Sequence, residues 1–187
     1  MKPVKIGLLG IGTVGSGTYR VLERNREEIT RRAGRRIEIA WVAARNVERA
    51  RSVVGTNVPV TGDVMRVVTD PEIDIVVEVI GGTGVARAAI MTAIEHGKHI
   101  VTANKALLAV HGNEIFAAAG RRNVIVAFEG AVSVCIPIIK ALREGLTANR
   151  IEWIAGIING TCNFILSEMR TKGLPFNDVL FQAQRLG

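Results

Sequence analysis

Cysteine is scarce in this sequence of 187 residues, which holds only Cys135 and Cys162. The two cysteines form no C-x-x-C pair and have no neighbouring histidine, so the sequence indicates neither a zinc site nor a disulfide framework. We expect both to be buried free thiols.

Long apolar runs and a leader sequence are also lacking. No run approaches the roughly 18 apolar residues that a membrane span needs. Met1-Lys2-Pro3 leads straight into a predicted strand, which is not the pattern of a signal peptide. The sequence therefore predicts a cytoplasmic protein with no membrane partner.

Aromatic residues make up only 4% of the chain, and acidic residues (17) are fewer than basic ones (24), for a net charge of +7. Ten arginines stand against five glutamates between Arg20 and Arg51. Such a region could bind nucleic acid, but stacking aromatics and basic reading motifs are absent. The other interpretations are a solvated arginine-rich helix and a positive field that attracts a phosphate-bearing ligand. We expect no nucleic-acid partner.

The sequence is rich in aliphatic residues that alternate between strand and helix patterns. Strands are predicted at residues 4–9, 36–44, 74–82, 99–103 and 123–129, and helices at 13–33, after Asn46, from Ala86 to about His96, and from Asn104 to about Gly120. Strands that alternate with helices indicate the α/β class and a Rossmann-like, doubly wound parallel sheet.

The regular alternation of predicted strands and helices ends at Pro137. Four predicted elements suggest a second α+β domain. They are a helix through "IPIIKALREGL", a strand at 150–158, a helix introduced by Asn159 and a last helix from about Asn177. One strand has no partners with which to complete a sheet. We therefore predict a Rossmann domain over 1–136 and the beginning of a second, incomplete domain over 137–187.

Gly10, Gly12 and Gly15 form a G-x-G-x-x-G pattern between the first strand and the first helix. In a dinucleotide site these glycines permit the tight turn, the approach of a pyrophosphate and the packing of helix on strand. The helix N-terminus adds free N–H groups and a positive dipole end. The alternative is a tight glycine turn without a ligand.

The second strand ends in Ala43-Ala44-Arg45, with no carboxylate that could hold the ribose hydroxyls of NAD. An arginine at this place suits the 2′-phosphate of NADP. The sequence therefore favours NADP over NAD, unless Arg45 is an ordinary loop arginine.

The next two strands also end in candidate residues, because ligands of open α/β sheets bind beyond the carboxyl ends of strands. Gly82 and Thr83 could let the nicotinamide half approach, or could merely begin a helix. Lys105 could donate a proton or hold a developing oxyanion during carbonyl reduction. A solvent-facing lysine at a helix start is the competing interpretation.

Five segments together resemble the homoserine dehydrogenase family: "GIGTVG", "VVEVIGG", "VTANKALLA", "IPIIKALREGL" and "RIEWIAGIINGTCNFIL". The resemblance covers essentially the whole chain. It implies an enzyme that interconverts L-homoserine and L-aspartate 4-semialdehyde with NAD(P)H, in the biosynthesis of threonine, methionine and isoleucine.

The resemblance also implies roles for individual residues. Gly10 to Gly15 would hold the pyrophosphate, with backbone contacts from Thr13 and Val14, and Arg45 would hold the adenosine phosphate. The remaining implied cofactor contacts are Gly82, Thr83, Lys105 and Gly187, and the implied monovalent-cation (sodium) ligands are Glu129, Val132, Val134 and Ile136. Lys105 would be the catalytic residue at the nicotinamide and the reacting carbonyl.

The sequence thus predicts an NADP-preferring homoserine dehydrogenase whose full-length form is a homo-oligomer. The family's acidic segment and second catalytic lysine would follow Gly187, so we expect this chain alone to bind dinucleotide weakly and to turn over little. Another NAD(P)-dependent amino-acid or semialdehyde dehydrogenase and a non-catalytic NADP-binding regulator are the alternatives.

Overall fold

The computed structural model describes residues 1–134 and 136–186. These residues belong to two compact units, Met1–Ala141 and Leu142–Gly187. No helix in the described part of the chain is both long and apolar enough to cross a membrane.

The first unit contains a six-stranded sheet in which every neighbouring pair of strands is parallel. Its strands are β1 (Val4–Leu9), β2 (Ile37–Ala43), β3 (Val60–Thr61), β4 (Ile75–Glu78), β5 (His99–Thr102) and β6 (Val126–Ala127). Their order across the sheet is β3-β2-β1-β4-β5-β6. The chain thus winds outward from β1 in both directions, which confirms the predicted doubly wound sheet.

Eight helices of the first unit connect these strands and follow them. They are α1 (Thr13–Arg24), α2 (Arg26–Ala33), α3 (Val47–Val54), α4 (Val64–Val68), α5 (Gly84–Glu95), α6 (Lys105–Arg122), α7 (Glu129–Val132) and α8 (Ile138–Lys140). The predicted helix 13–33 is two helices, because Asn25 leaves the helical conformation (φ −104°, ψ 21°) and separates α1 from α2.

Some sequence-based boundaries were wrong. Neither β3 nor α4 was predicted, because runs of two and five residues are too short to show a period of apolar residues. The predicted strand 123–129 is limited to Val126–Ala127, an edge strand that pairs with β5. The predicted strand 74–82 ends at Glu78, where the chain turns out of the sheet.

Apolar side chains cover both faces of the sheet. Leu8 and Val42 belong to a cluster with Ala50 and Val54 of α3, whereas Leu9 and Val76 belong to a larger cluster with residues of α4, α5 and α6. Successive strand residues point to opposite faces, so adjacent residues such as Leu8 and Leu9 supply both cores. The result is a three-layer sandwich with the sheet in the middle.

Gly7 shows how closely the larger cluster packs. A Cβ at this position of β1 would lie 2.5 Å from Cγ1 of Val67, which is fully buried in α4. The missing side chain lets α4 lie directly on the strand.

The second unit contains α9 (Gly160–Lys172) and α10 (Phe176–Leu186), which pack on each other. A π-helical turn (Ala141–Gly145) follows α8. The predicted strand at 150–158 is not formed, and its residues are exposed without regular structure. A strand is stabilised by hydrogen bonds to a neighbour, and the described residues of this unit contain no strand that could pair with it. Cys162 is exposed in α9, which corrects the expectation of a buried thiol, and Cys135 lies outside the described residues.

Candidate functional site

The strand order reverses between β1 and β4, which lie side by side although β2 and β3 come between them in the chain. The connections after β1 and β4 leave in opposite directions, so a crevice opens beyond the carboxyl ends of these strands. Open α/β sheets bind their ligands in such a crevice. A cleft of about 630 Å³ lies here, within the usual size range of small-molecule sites.

The turn after β1 needs glycine at two positions for reasons of packing. Gly10 has a left-handed φ of +101°, and a Cβ there would lie 2.7 Å from the carbonyl oxygen of Val79. A Cβ on Gly15 would lie 2.1 Å from the carbonyl oxygen of Gly10. Both glycines bring the start of α1 close to β1 and β4.

Gly12 is different, because no protein atom explains its missing side chain. Its φ is −68°, which any residue adopts, and a Cβ there would meet nothing within 4 Å. No described side chain caps the first turn of α1, so no side chain occupies its leading N–H groups. Open space in front of free N–H groups and a positive helix end fits a phosphate.

The cleft brings together part of the predicted cofactor set. Gly10, Gly12, Arg45 and Gly82 line it, together with Arg49 and Asn46, which the sequence analysis had not assigned to the site. The other described members of that set do not line it: Thr13, Val14, Gly15, Thr83 and Lys105. Gly187 lies outside the described residues.

Two arginines stand on the β2 side of the cleft. Arg45 follows β2, and Arg49 lies in the first turn of α3, where its backbone N–H donates to the side-chain oxygen of Asn46 at 2.9 Å. Both arginines are exposed, and neither pairs with a carboxylate among the residues the structure describes. Glu48, their acidic neighbour, binds Arg51 instead. The two guanidinium groups are therefore available to an anion.

Much of the remaining basic region is neutralised locally. Glutamates pair with five of its arginines, twice within α2 and once within α3: Arg26, Arg31, Arg32, Arg36 and Arg51. This arrangement is that of a solvated surface. Five arginines of the region have no such pair among the described residues, and two of them, Arg45 and Arg49, line the cleft.

Glu78, the last residue of β4, was not among the predicted residues; it does not line the cleft, but it binds the backbone of two residues that do, Ile80 and Gly81. It is fully buried. Its Oε1 accepts hydrogen bonds from the backbone N–H groups of Ile80 at 2.8 Å and Gly81 at 3.2 Å, and its Oε2 accepts one from the hydroxyl of Thr102 at 2.7 Å. The signal in the sequence was a single carboxylate within an apolar strand.

Lys105 begins α6 at the carboxyl end of β5, and its side chain is exposed. Asn104 before it caps the helix, because its Oδ1 accepts from the N–H of Leu107 at 3.1 Å. The same side chain donates from Nδ2 to the carbonyl oxygen of Gly82 at 2.7 Å. Thr83 stands at the start of α5 without a capping hydrogen bond from its side chain.

The predicted cation ligands lie on one connection of the first unit. The carboxylate of Glu129 accepts from the backbone N–H of Ile139 at 2.8 Å and of Lys140 at 3.0 Å, which closes the loop between them. Val132, Val134 and Ile136 lie on this loop and are exposed.

The reversed strand order, the glycine turn and the open helix end define a dinucleotide-binding protein with the Rossmann fold. The family model described as the NAD-binding domain of homoserine dehydrogenase matches residues 10–129, and the model described as homoserine dehydrogenase matches residues 137–187. The chain belongs to the homoserine dehydrogenase family.

Individual relatives agree with this assignment. The chain is 63% identical over 187 residues to the homoserine dehydrogenase of Pseudomonas aeruginosa and 60% identical to that of Methylobacillus glycogenes, covering 100% of this chain and 43% and 45% of those proteins. The crystal structure of a homoserine dehydrogenase from Thiobacillus denitrificans is similar with a TM-score of 0.94 and 64% identity, over 100% of this chain and 43% of that one. The chain thus spans less than half the length of these relatives.

Proposed function

We propose that this protein is an NADP-preferring, cytoplasmic homoserine dehydrogenase, in which residues 1–136 form the cofactor-binding domain and 137–187 belong to the substrate and dimerisation domain. The observation that carries the proposal is the cleft at the strand reversal. It combines space at Gly12 that no packing requires with two unpaired arginines next to β2.

The strand order supports a proposed direction for the dinucleotide. Arg45 and Arg49 follow β2 and take the 2′-phosphate of the adenosine half. The glycine turn after β1 takes the pyrophosphate. Gly82, Thr83 and Lys105 would hold the nicotinamide half, because β4 and β5 continue the strand order on the other side of β1.

The bound nicotinamide supplies or accepts the hydride that converts the semialdehyde to the alcohol or back. Lys105 holds the proton for the substrate oxygen: its Nζ donates to the oxygen during reduction and stabilises the charge that develops there. No described carboxylate forms an ion pair with Lys105, so the ammonium group is available to substrate.

A monovalent cation is the second bound group that we propose. Each oxygen of Glu129 uses one lone pair on a backbone N–H and keeps another for a cation. Carbonyl oxygens of Val132, Val134 and Ile136 would complete a set of hard oxygen donors, which suits sodium. The role of the ion would be to fix the loop.

The second unit supports the proposed homo-oligomer. Large apolar side chains are exposed on it, including Trp153 (78%), Ile157 (77%) and Ile158 (80%). Single exposed apolar residues are ordinary, but a group of them marks a surface that other protein covers, which is either further chain of the same domain or, as proposed here, a second copy. Light scattering on the full-length protein would test for the dimer.

The cofactor preference is tested by comparing NADPH with NADH. Arg45→Gln and Arg49→Gln each remove a charge near the 2′-phosphate, and a hydrogen bond to a charged group contributes about 1.5–3 kcal/mol. We expect each variant to weaken NADPH about 10- to 100-fold in a fluorescence titration and to leave NADH nearly unchanged.

Arg51→Gln is the matched control, because Arg51 lies in the same helix but binds Glu48 and does not line the cleft. Equal losses for NADPH and NADH in the Arg45 variant would contradict the proposed preference. Full-length protein that binds NADPH but does not oxidise homoserine would contradict the proposed activity.

A further inference from the structure

Three buried or nearly buried polar side chains connect the ends of β4 and β5. Glu78 and Thr102 are fully buried and Asn104 is 6% exposed. Glu78 and Thr102 are register partners in the sheet. The Thr102 hydroxyl donates to Glu78 at 2.7 Å and accepts from the backbone N–H of Asn104 at 3.0 Å. We refer to these three residues as the Glu78–Thr102–Asn104 network.

The network holds backbone that has little other support. Gly81 and Gly82 adopt left-handed φ values of +80° and +73° and are exposed, and a Cβ on either would meet nothing within 4 Å. Packing therefore does not fix this turn. Its hydrogen bonds do, because Glu78 accepts from the N–H of Gly81 and Asn104 donates to the carbonyl of Gly82.

The sheet itself does not require such a network. A buried carboxyl group is costly unless it is hydrogen-bonded, and an aliphatic residue at the end of β4 would continue the apolar strand without that cost. The hydrogen bonds of Glu78 go to the turn that follows β4 and to the strand that leads to Lys105, so the group acts on the surroundings of the cleft.

We propose that the Glu78–Thr102–Asn104 network is a positioning device that holds the Gly81–Gly82 turn and Lys105 together as one preorganised wall of the nicotinamide subsite. Asn104 connects the two parts. Its Oδ1 caps the helix that Lys105 begins, and its Nδ2 donates to the carbonyl oxygen of Gly82. This inference rests on the proposed function and extends it from the residues that touch the cofactor to those that place them.

The network has a consequence that depends on which half of the cofactor is bound. A ligand that occupies only the adenosine half contacts the β2 side of the cleft and does not reach the turn after β4. Disturbing the network should therefore weaken NADPH and leave adenosine 2′,5′-bisphosphate, which lacks the nicotinamide half, unaffected. General damage to the fold would weaken both ligands.

Asn104→Asp is the sharpest variant. Aspartate caps a helix as well as asparagine does, so the start of α6 is retained, but its oxygens cannot donate to the carbonyl of Gly82. Thr102→Val removes the hydroxyl at nearly constant volume, and Thr102→Ser is its matched control because the hydroxyl is kept. Circular dichroism melts check that each variant is folded.

We expect Asn104→Asp and Thr102→Val to weaken NADPH at least fivefold, to change the dissociation constant of adenosine 2′,5′-bisphosphate less than twofold, and to alter the fluorescence of the bound reduced nicotinamide. Thr102→Ser should behave as the unsubstituted protein. If Thr102→Val does not fold, Asn104→Asp decides alone.

Unchanged NADPH affinity in Asn104→Asp, or equal losses for both ligands, would overturn the inference while leaving the proposed function intact. If the unsubstituted protein bound neither ligand, the proposed function would fall, and the inference with it.

Discussion

Replacing Gly12 with alanine separates ligand binding from folding more cleanly than any other change in the glycine turn. The new methyl group would meet no protein atom within 4 Å, and φ at this position is −68°. It would stand in front of the first turn of α1, where the proposed pyrophosphate approaches the backbone. The substitution should therefore leave the fold intact but block the close approach of the phosphate to the backbone.

The expected change in stability of Gly12→Ala is smaller than its expected change in NADPH affinity. Alanine is a poorer N-cap than glycine by up to about 1 kcal/mol, but it lowers the entropy of the unfolded chain by an amount equivalent to about 0.4–1 kcal/mol. Stability should therefore change by less than about 1 kcal/mol. Loss of a charge-assisted hydrogen bond costs about 1.5–3 kcal/mol, which raises the NADPH dissociation constant roughly 10- to 100-fold.

Two other glycine-to-alanine substitutions in α1 serve as comparisons for Gly12→Ala. Gly15→Ala places a Cβ 2.1 Å from the carbonyl oxygen of Gly10, so it should lose about 1–3 kcal/mol of stability through overpacking. Gly17→Ala lies in the same helix with nothing within 4 Å, does not line the cleft, and should gain up to about 1 kcal/mol. Urea denaturation gives the stabilities, and nicotinamide fluorescence gives the affinities.

NADPH binding by Gly12→Ala as tight as that of the unsubstituted protein would contradict a phosphate site at Gly12. A loss of affinity accompanied by a loss of stability as large as that of Gly15→Ala would contradict it too, since the effect would then come from the fold.

Three other changes test separate parts of the molecule. Lys105→Met in the full-length protein should lower the rate of homoserine oxidation by about 10²- to 10⁴-fold while NADPH affinity changes only a few-fold; turnover near the original rate would exclude Lys105 from the chemistry. Sodium should raise the melting temperature of the unsubstituted protein but not that of Glu129→Gln, and an equal rise in both would speak against the proposed cation site. The hydrogen bonds from Arg87 hold the pKa of Glu114 below its usual range. The stabilisation from this pair is therefore present at neutral pH and is lost as the pH falls below about 4. Acid titrations should show a weaker pH dependence in Glu114→Gln, and an unchanged profile would show that the pair contributes nothing.

Local chemistry explains the parts of the fold that the sequence predicts well. Asn46, Asn104 and Asn159 were expected to start helices, and each side-chain oxygen accepts from the N–H three residues later. A cap involves only neighbouring residues, so its signal is contained in a short stretch of sequence. The predicted alternation of strands and helices in the first unit is confirmed as well, because the spacing of apolar residues is also contained in a short stretch of sequence.

Features that depend on distant partners were not predictable in this way. The residues around Glu78 in the sequence do not identify its partner, because Thr102 lies 24 residues further along the chain. Residues 150–158 carry a convincing strand pattern, yet a strand forms only where another strand can pair with it. Arg49 gave no separate signal within a basic region, and only the folded cleft shows that it and Arg45 line the same space.

The contact at Gly7 has a consequence for how the sequence can vary over time. Because a Cβ there would lie 2.5 Å from Val67, a larger residue at position 7 requires a smaller one at position 67. The order of the two changes matters: shrinking Val67 first leaves a small cavity that costs on the order of 1 kcal/mol, whereas enlarging Gly7 first forces α4 away from β1. The two positions lie 60 residues apart in the chain, yet substitutions at them should be coupled: a smaller residue at position 67 should reduce the destabilisation caused by a larger one at position 7.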